Sequence, residues 1–418
     1  MQTHDMNVAG FKLLADVDLA KTSHDHCMYN TSIYEVTWDM PYFLAMNTNE
    51  TFPMNRNRAA ADLAVVSPAL MDGALAVALD AKVDYLNASR NDAIVSSYNS
   101  FGYELSPSFT YRIDARNTVG LSVRVKNQPA KNVITTGDGR AIEVAFLRPL
   151  GSYLMRWAGG STGLGLLEYS SATKGVSLQY NNTGAKADWL LELSLDKTAS
   201  GVSEKNDNMV KGAVDKFVTG ASVQGLFGEN RSRKLDVDVK YNLFYCSSST
   251  GGTAVSQNNM IDAKLNYSVY TGAGKDHTYD YVFGLGMDVF SLDCERANPV
   301  STLTTLSLLP HAFLGKNIRL SQSGFLLVRM DAGYRFASNT RFNYGGTASA
   351  TDRIVNGMYD DELGYLKSYY YSLDGDVSYT HKLTGALSVY ARARANYIKP
   401  MTISGDRAAA EFSVGVMF

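Results

Sequence analysis

Hydrophobic and polar positions alternate along most of this chain with a period of two. The last eleven residues show the pattern: Ala410, Phe412, Val414, Val416 and Phe418 are apolar, and Glu411, Ser413, Gly415 and Met417 stand between them. Such a repeat places successive side chains on opposite faces of an extended strand. Near the start, Phe11, Leu13, Ala15, Val17 and Leu19 alternate with Lys12, Leu14, Asp16 and Asp18. The same reading predicts strands over Val8–Ala20, Ala60–Ala69, Gly73–Asn87, Ser100–Ile113, Thr118–Lys126, Lys174–Asn182, Ala187–Asp196 and Lys216–Phe227. It continues through Lys234–Tyr245, Asn258–Thr271, Tyr279–Leu292, Leu303–Leu314, Gly324–Phe336, Ser368–Thr380, Ala386–Ile398 and the terminal segment. That makes about sixteen.

Most of these strands run longer than the ~5–6 residues usual in soluble sheets and suit a tilted bilayer crossing of ~9–11. Their outer positions are Leu, Val and Ala in mid-strand, with Tyr85, Tyr103, Tyr111, Trp189, Tyr241, Tyr267, Tyr334, Tyr379 and Tyr397 toward the ends. Aromatics at strand ends match the interfacial girdles of a membrane barrel. A soluble sandwich or propeller is the competing architecture and would not need them. Connections also fall into two classes. Asn230–Ser232 and Leu383–Gly385 are short, whereas Lys21–Arg58, Asn127–Thr173 and Ala337–Lys367 are long. The expectation is an all-β fold: one transmembrane antiparallel β-barrel over residues 1–418, with short periplasmic turns and long extracellular loops. An even strand count puts both termini at the periplasmic face. Fourteen strands result if an early pair is wrong, and eighteen if residues 127–173 supply a hairpin.

Composition narrows the function. Charge is nearly balanced at formal −2, so nothing points to nucleic acid. No apolar run approaches the ~18 residues of a spanning helix. The 26 Tyr against 9 Pro favour strands with interfacial aromatics, and three Cys are too few for a disulfide scaffold. One pairing, Cys246–Cys294, is the most plausible in an oxidising setting. Met6–Ala20 is interrupted by Lys12, Asp16 and Asp18 and does not read as a secretory segment, so a mature or truncated chain is expected.

The terminal strand resembles the C-terminal signal of bacterial outer-membrane β-barrels, which their assembly machinery reads. Together with the strand pattern and the loop around Trp38 and Pro41-Tyr42, it is similar to a poorly characterised family of Bacteroidota outer-membrane barrels. In that family a Trp and a Pro-Tyr loop follow the first strand, and a Pro-rich, Arg-containing motif follows the third; here Ala88-Ser89-Arg90-Asn91 stands in the second place without prolines. The resemblance implies an outer-membrane lipid environment and service beside a surface transporter or lipoprotein. It implies no cofactor and no catalytic residue.

In-facing positions read as polar throughout. Arg329, Asp331, Asp374, Asp376, Arg392, Arg394 and Glu411 are the lumen-lining candidates, with Asp374 expected opposite Arg392 across the last hairpin. Charges of one sign would make a selective constriction, whereas mixed signs pair with one another inside a hydrated interior. Trp38, Tyr42, Trp157 and Tyr344 are candidates for contacts made by the long loops. His24 and His26 flank Asp25 but no second cluster completes a coordination sphere, so no metal site is expected. His311 and His381 read as solvated turn residues without a hydrolase motif, and no enzyme is expected. Two functions stay open: a passive or loop-gated channel for small polar solutes, and a barrel whose external loops dock a transporter, lipoprotein or secretion component.

Overall fold

The computed structural model describes residues 6–8, 10–27, 43–46, 52–91, 94–136, 142–147, 153–158, 166–204, 207–248, 254–272, 279–297, 300–337, 339–344, 363–384 and 387–417. Among them, sixteen strands form one antiparallel ring: β1 (Phe11–Cys27), β2 (Phe52–Val66), β3 (Leu75–Asn91), β4 (Ile94–Arg112), β5 (Asn117–Asn127 and Ala130–Thr136), β6 (Leu166–Thr183), β7 (Ala187–Glu204) and β8 (Asp207–Phe227). The second half comprises β9 (Arg233–Ser248), β10 (Ala254–Thr271), β11 (Tyr281–Ala297), β12 (Val300–Arg319), β13 (Gly324–Ala337 and Arg341–Tyr344), β14 (Tyr370–Lys382), β15 (Ser388–Pro400) and β16 (Arg407–Met417). Each strand pairs with its sequence neighbours. Val17 then lies opposite Val416 and Lys21 opposite Phe412, which closes β1 onto β16 and removes both sheet edges.

The exterior explains why these residues choose a barrel over a sandwich. Leu79, Val83, Leu105, Leu121, Val176, Leu193, Leu265, Leu285, Val377 and Phe412 all face outward and stay exposed. Among the described residues no second sheet covers them. Tyr103 and Tyr111 stand eight residues apart on β4, as do Tyr371 and Tyr379 on β14. At ~3.3 Å per residue and a tilt near ~40°, that separation spans about 20 Å, close to the height of a transmembrane apolar band. Tyrosines at its borders bond to asparagines one row farther out. Tyr85 donates to Asn99 (3.1 Å), Tyr180 to Asn117 (2.6 Å) and Tyr241 to Asn259 (2.9 Å). An amphipathic phenol with its ring toward lipid and its hydroxyl toward water requires such a boundary.

One rim carries the connections 67–74, 113–116, 184–186, 228–232, 272–280, 320–323 and 383–387, together with both described chain ends. The turn after β2 holds Met71, Asp72 and Gly73 at positive φ (52°, 51° and 85°), a conformation that suits glycine best. Asp114 closes the next turn. It accepts hydrogen bonds from the Asn117 amide side chain and from the backbone N–H groups of Arg116 and Asn117, which hold its carboxyl below the usual 3.8. Arg231 ties two turns together by donating to Asp188 (2.7 and 2.9 Å) and to the Gly184 carbonyl (2.6 Å).

The opposite rim differs from expectation in three places. β1 and β2 extend to Cys27 and from Phe52, well into the span read as loop. Over residues 21–26 of β1 and 55–58 of β2 both faces are polar, which hides a strand from an alternation test. Residues 127–173 are not one loop: Ala130–Thr136 continues β5 and β6 starts at Leu166. Between them Ile142–Leu147 and Tyr153–Ala158 form a hairpin, but it joins Phe43–Met46 in a separate three-stranded sheet and adds nothing to the ring. The third long connection contributes a helical turn at 363–367.

The interior is not polar throughout. In the half toward the long connections Phe244, Leu292, Cys294 and Leu303 face inward, each at most 2% exposed. Leu363 and Leu366 of the helical turn pack on Leu292, Cys294 and Leu303, with Met260, Phe290 and Phe342 beside them. The polar-inside rule fails here because the inner face meets a folded segment, not water.

Candidate functional site

The charged site grows from the inward positions of β11 to β16 and of β1. Register brings them into one band: Arg329 lies opposite Asp376, Asp331 opposite Asp374, Asp376 opposite Arg394, and Arg394 opposite Glu411. Glu411 in turn faces Thr22, whose hydroxyl donates to it at 3.3 Å. All seven lumen-lining candidates, Arg329, Asp331, Asp374, Asp376, Arg392, Arg394 and Glu411, line a single cavity of about 480 Å³.

The expected Asp374–Arg392 pair does not form. The turn between β14 and β15 runs from Leu383 to Leu387, closed by the Leu383 N–H to the Leu387 carbonyl (2.8 Å). The turn is no longer than the one implied by a pairing of Thr380 with Ala386 but sits two residues later, which shifts the register by four, so Thr380 faces Tyr390. Asp374 therefore accepts from Asn396 (2.6 Å), and Arg392 grips Asp376 through Nε (2.9 and 3.0 Å) and Nη2. Arg394 Nε adds a second cation 3.5 Å from the same carboxylate.

His311 is the residue that the sequence reading misplaced. β12 continues to Arg319, so the imidazole belongs to the lumenal wall and not to a turn. His311 Nδ1 donates to Asp331 (3.0 Å), and Nε2 stands 3.8 Å from Asp288. The flanking strands make room for the ring. Gly286 and Gly333 are its direct register partners, and a Cβ at Gly286 would collide with His311 Nε2 and Asn266. Gly284 likewise clears Phe313, whose ring carries the Arg329 guanidinium 4.0 Å from its centroid. A glycine opposite an aromatic ring was the available sequence signal. It becomes readable only once register is known.

A larger cavity of about 1080 Å³ adjoins the first and shares Arg392, Arg394 and Glu411 with it. Its wall carries Asp16, Asp18, Arg58, Asp62, Lys82, Asp84, Glu104 and Lys126. Signs alternate here as well: Lys82 lies 3.1 Å from both Asp62 and Asp80, and Arg58 donates to Asp84 (2.6 Å). Tyr390 donates to Asp18 across the closing strands.

Other candidates fall elsewhere. Trp38 and Tyr42 lie outside the described residues, as does Phe418, and Trp157, Tyr344, His24, His26 and Cys27 are described only through their backbones. Cys246 and Cys294, the most plausible pair for a disulfide, do not form one. Both are buried thiols on strands separated by β10, and Cys294 Sγ donates to Asn258 (2.6 Å). Groups of three or more potential metal ligands are absent among the described residues.

This geometry defines a class: a closed barrel with a lipid-matched exterior and a charged, hollow interior. The chain belongs to the family of unknown function DUF6850, whose profile matches residues 6–418. No curated protein matches the sequence. Among solved structures it is similar to BauA, the ferric preacinetobactin receptor from Acinetobacter baumannii, at 7% identity and TM-score 0.39, covering 100% of this chain and 81% of that one. It is similar to a Pseudomonas aeruginosa FadL homologue at 10% identity and TM-score 0.36, covering 98% and 90%. It is also similar to Pseudomonas aeruginosa OpdQ at 9% identity and TM-score 0.37, covering 98% of each chain.

Proposed function

We propose that the protein is an outer-membrane channel for small polar solutes, non-enzymatic, with its short-turn rim and both chain ends on the periplasmic side. One observation carries this reading. The two charged cavities meet at Arg392, Arg394 and Glu411, so a hydrated path runs along the wall from β1 to β5 and onto β11 to β16. A barrel of about sixteen strands is wide enough to hold water along its axis. Together the described linings carry ten carboxylates and seven Lys or Arg side chains, with shared residues counted once. Most of these charges pair with a neighbour, which supports weak selectivity tilted toward cations and zwitterions.

Planar-bilayer recording of the purified protein tests this. The expected result is ohmic current with a modest cation preference. A barrel that serves only to dock a transporter or lipoprotein would stay silent in every lipid and would co-purify with its partner.

A further inference from the structure

The helical turn at 363–367 sits over the charged cavity, and the strand positions show how. On β11, Leu292 touches the turn and lies four residues beyond Asp288 toward the long connections. On β13, Arg335 lies four beyond Asp331 and donates to the Tyr365 carbonyl (3.2 Å). On β14, Tyr370 lies four beyond Asp374 and stacks on Tyr365 with centroids 5.6 Å apart. On β16, Arg407 lies four beyond Glu411, its guanidinium 3.5 Å from the centre of the Tyr365 ring. Four strands thus place their contact with this segment four residues above the charged band, about 13 Å along each tilted strand.

Two kinds of contact hold the segment. Leu363 and Leu366 bury themselves against Leu292, Cys294 and Leu303, and the backbone is latched at its end. Ser368 N–H donates to the Tyr365 carbonyl (3.1 Å), and Ser368 Oγ accepts from Met401 N–H (3.3 Å) in the turn before β16. Tyr365 is the common point, since Arg335 holds its carbonyl and Arg407 covers its ring. The segment spans the mouth from β11 to β16, and those strands also line the smaller cavity.

We infer that residues 363–368 are a lid over the charged cavity at its long-connection end, latched by Arg335 and Arg407 on Tyr365. Releasing the latch lifts Leu363 and Leu366 and opens the cavity on that side. The inference rests on the channel reading only for what the lid controls, which is passage of a small polar solute. Whether the lid exists can be read without any current.

Cys294 supplies the reporter. It is fully buried beneath Leu363 and Leu366. In the full chain carrying Cys27→Ala and Cys246→Ala, reconstituted in phosphatidylcholine vesicles, Cys294 should react slowly with a charged maleimide. Arg335→Ala with Arg407→Ala should raise that rate at least tenfold, and Arg407→Lys, which keeps the cation, should raise it less. A second variant adds Leu366→Cys to the same background; its oxidation to a Cys294 disulfide should lower potassium chloride conductance severalfold, and reductant should restore it. An unchanged labelling rate in the double-alanine variant, or a conducting reduced protein whose conductance the disulfide leaves unchanged, overturns the lid. If labelling responds as expected but no variant ever conducts, the lid stands and the channel reading falls.

Discussion

Strand β11 passes through two environments without losing its alternation. In its first half Phe283, Leu285 and Met287 are exposed on the outside while Gly284, Gly286 and Asp288 face the lumen. Past Val289 the assignment inverts: Asp293 and Glu295 are exposed outside, and Leu292 and Cys294 are buried inside. β12 does the same in reverse, with Leu303 buried inward near its start and His311 in the charged wall farther on. Backbone geometry fixes which side chains share a face. What lies against that face fixes their polarity. In the first region lipid is outside and water inside; in the second, water is outside and the helical turn at 363–367 is inside.

The comparison can be broken most severely at the apolar interior. Phe244→Ala empties a site 1% exposed and should cost about 3–5 kcal/mol, read from reversible unfolding in detergent or lipid. Along the outer face of β11, Leu285→Arg should cost about 2–4 kcal/mol for folding into vesicles. Asp293→Arg, on the same face eight residues on, should stay within about 0.5 kcal/mol. Equal costs would refute a boundary near Val289. Within the charged wall, Gly286→Ala should cost about 1–3 kcal/mol by displacing His311, and the loss should shrink when His311→Ala is added. Arg392→Ala leaves Asp376 without its main partner. Because both groups are partly exposed, a stability loss of about 1 kcal/mol or less is expected, together with a stronger cation preference in the reversal potential.

The smallest effect belongs to the short-turn rim. The depressed Asp114 carboxyl contributes stability that is complete above its ordinary value of 3.8 and disappears as pH falls through its lower folded value. An NMR titration of Asp114 should show a midpoint below 3.8, and Asn117→Ala should move it upward. A midpoint at or above 3.8 would mean that the turn does not hold the charge.

Much of the fold was legible wherever one face met lipid. Phe412 and Val414 against Glu411 and Ser413, or Val237 and Val239 against Asp236 and Asp238, announce a strand and its outward side without help. The long-connection ends were not legible. Arg56 and Arg58 alternate with Asn55 and Asn57, so neither face is apolar and the strand reads as loop. Of the candidate site, the seven charged residues were found because they interrupt apolar strands. Their pairing was missed, since moving the turn by two residues, to 383–387, shifts the register by four and changes every partner across β14 and β15. His311 was missed because its glycine partners belong to other strands.

The sequence by itself determined that this chain makes long amphipathic strands, roughly how many there are, and which side chains face lipid. Period-two alternation is a local property, and a bilayer imposes the same demand on every strand. Only the tertiary structure decided which charges meet in the lumen, that the hairpin at 142–158 stays out of the ring, and that 363–367 turns inward over the charged wall. Those outcomes depend on register and on contacts between segments far apart in the chain, which alternation along one strand cannot encode.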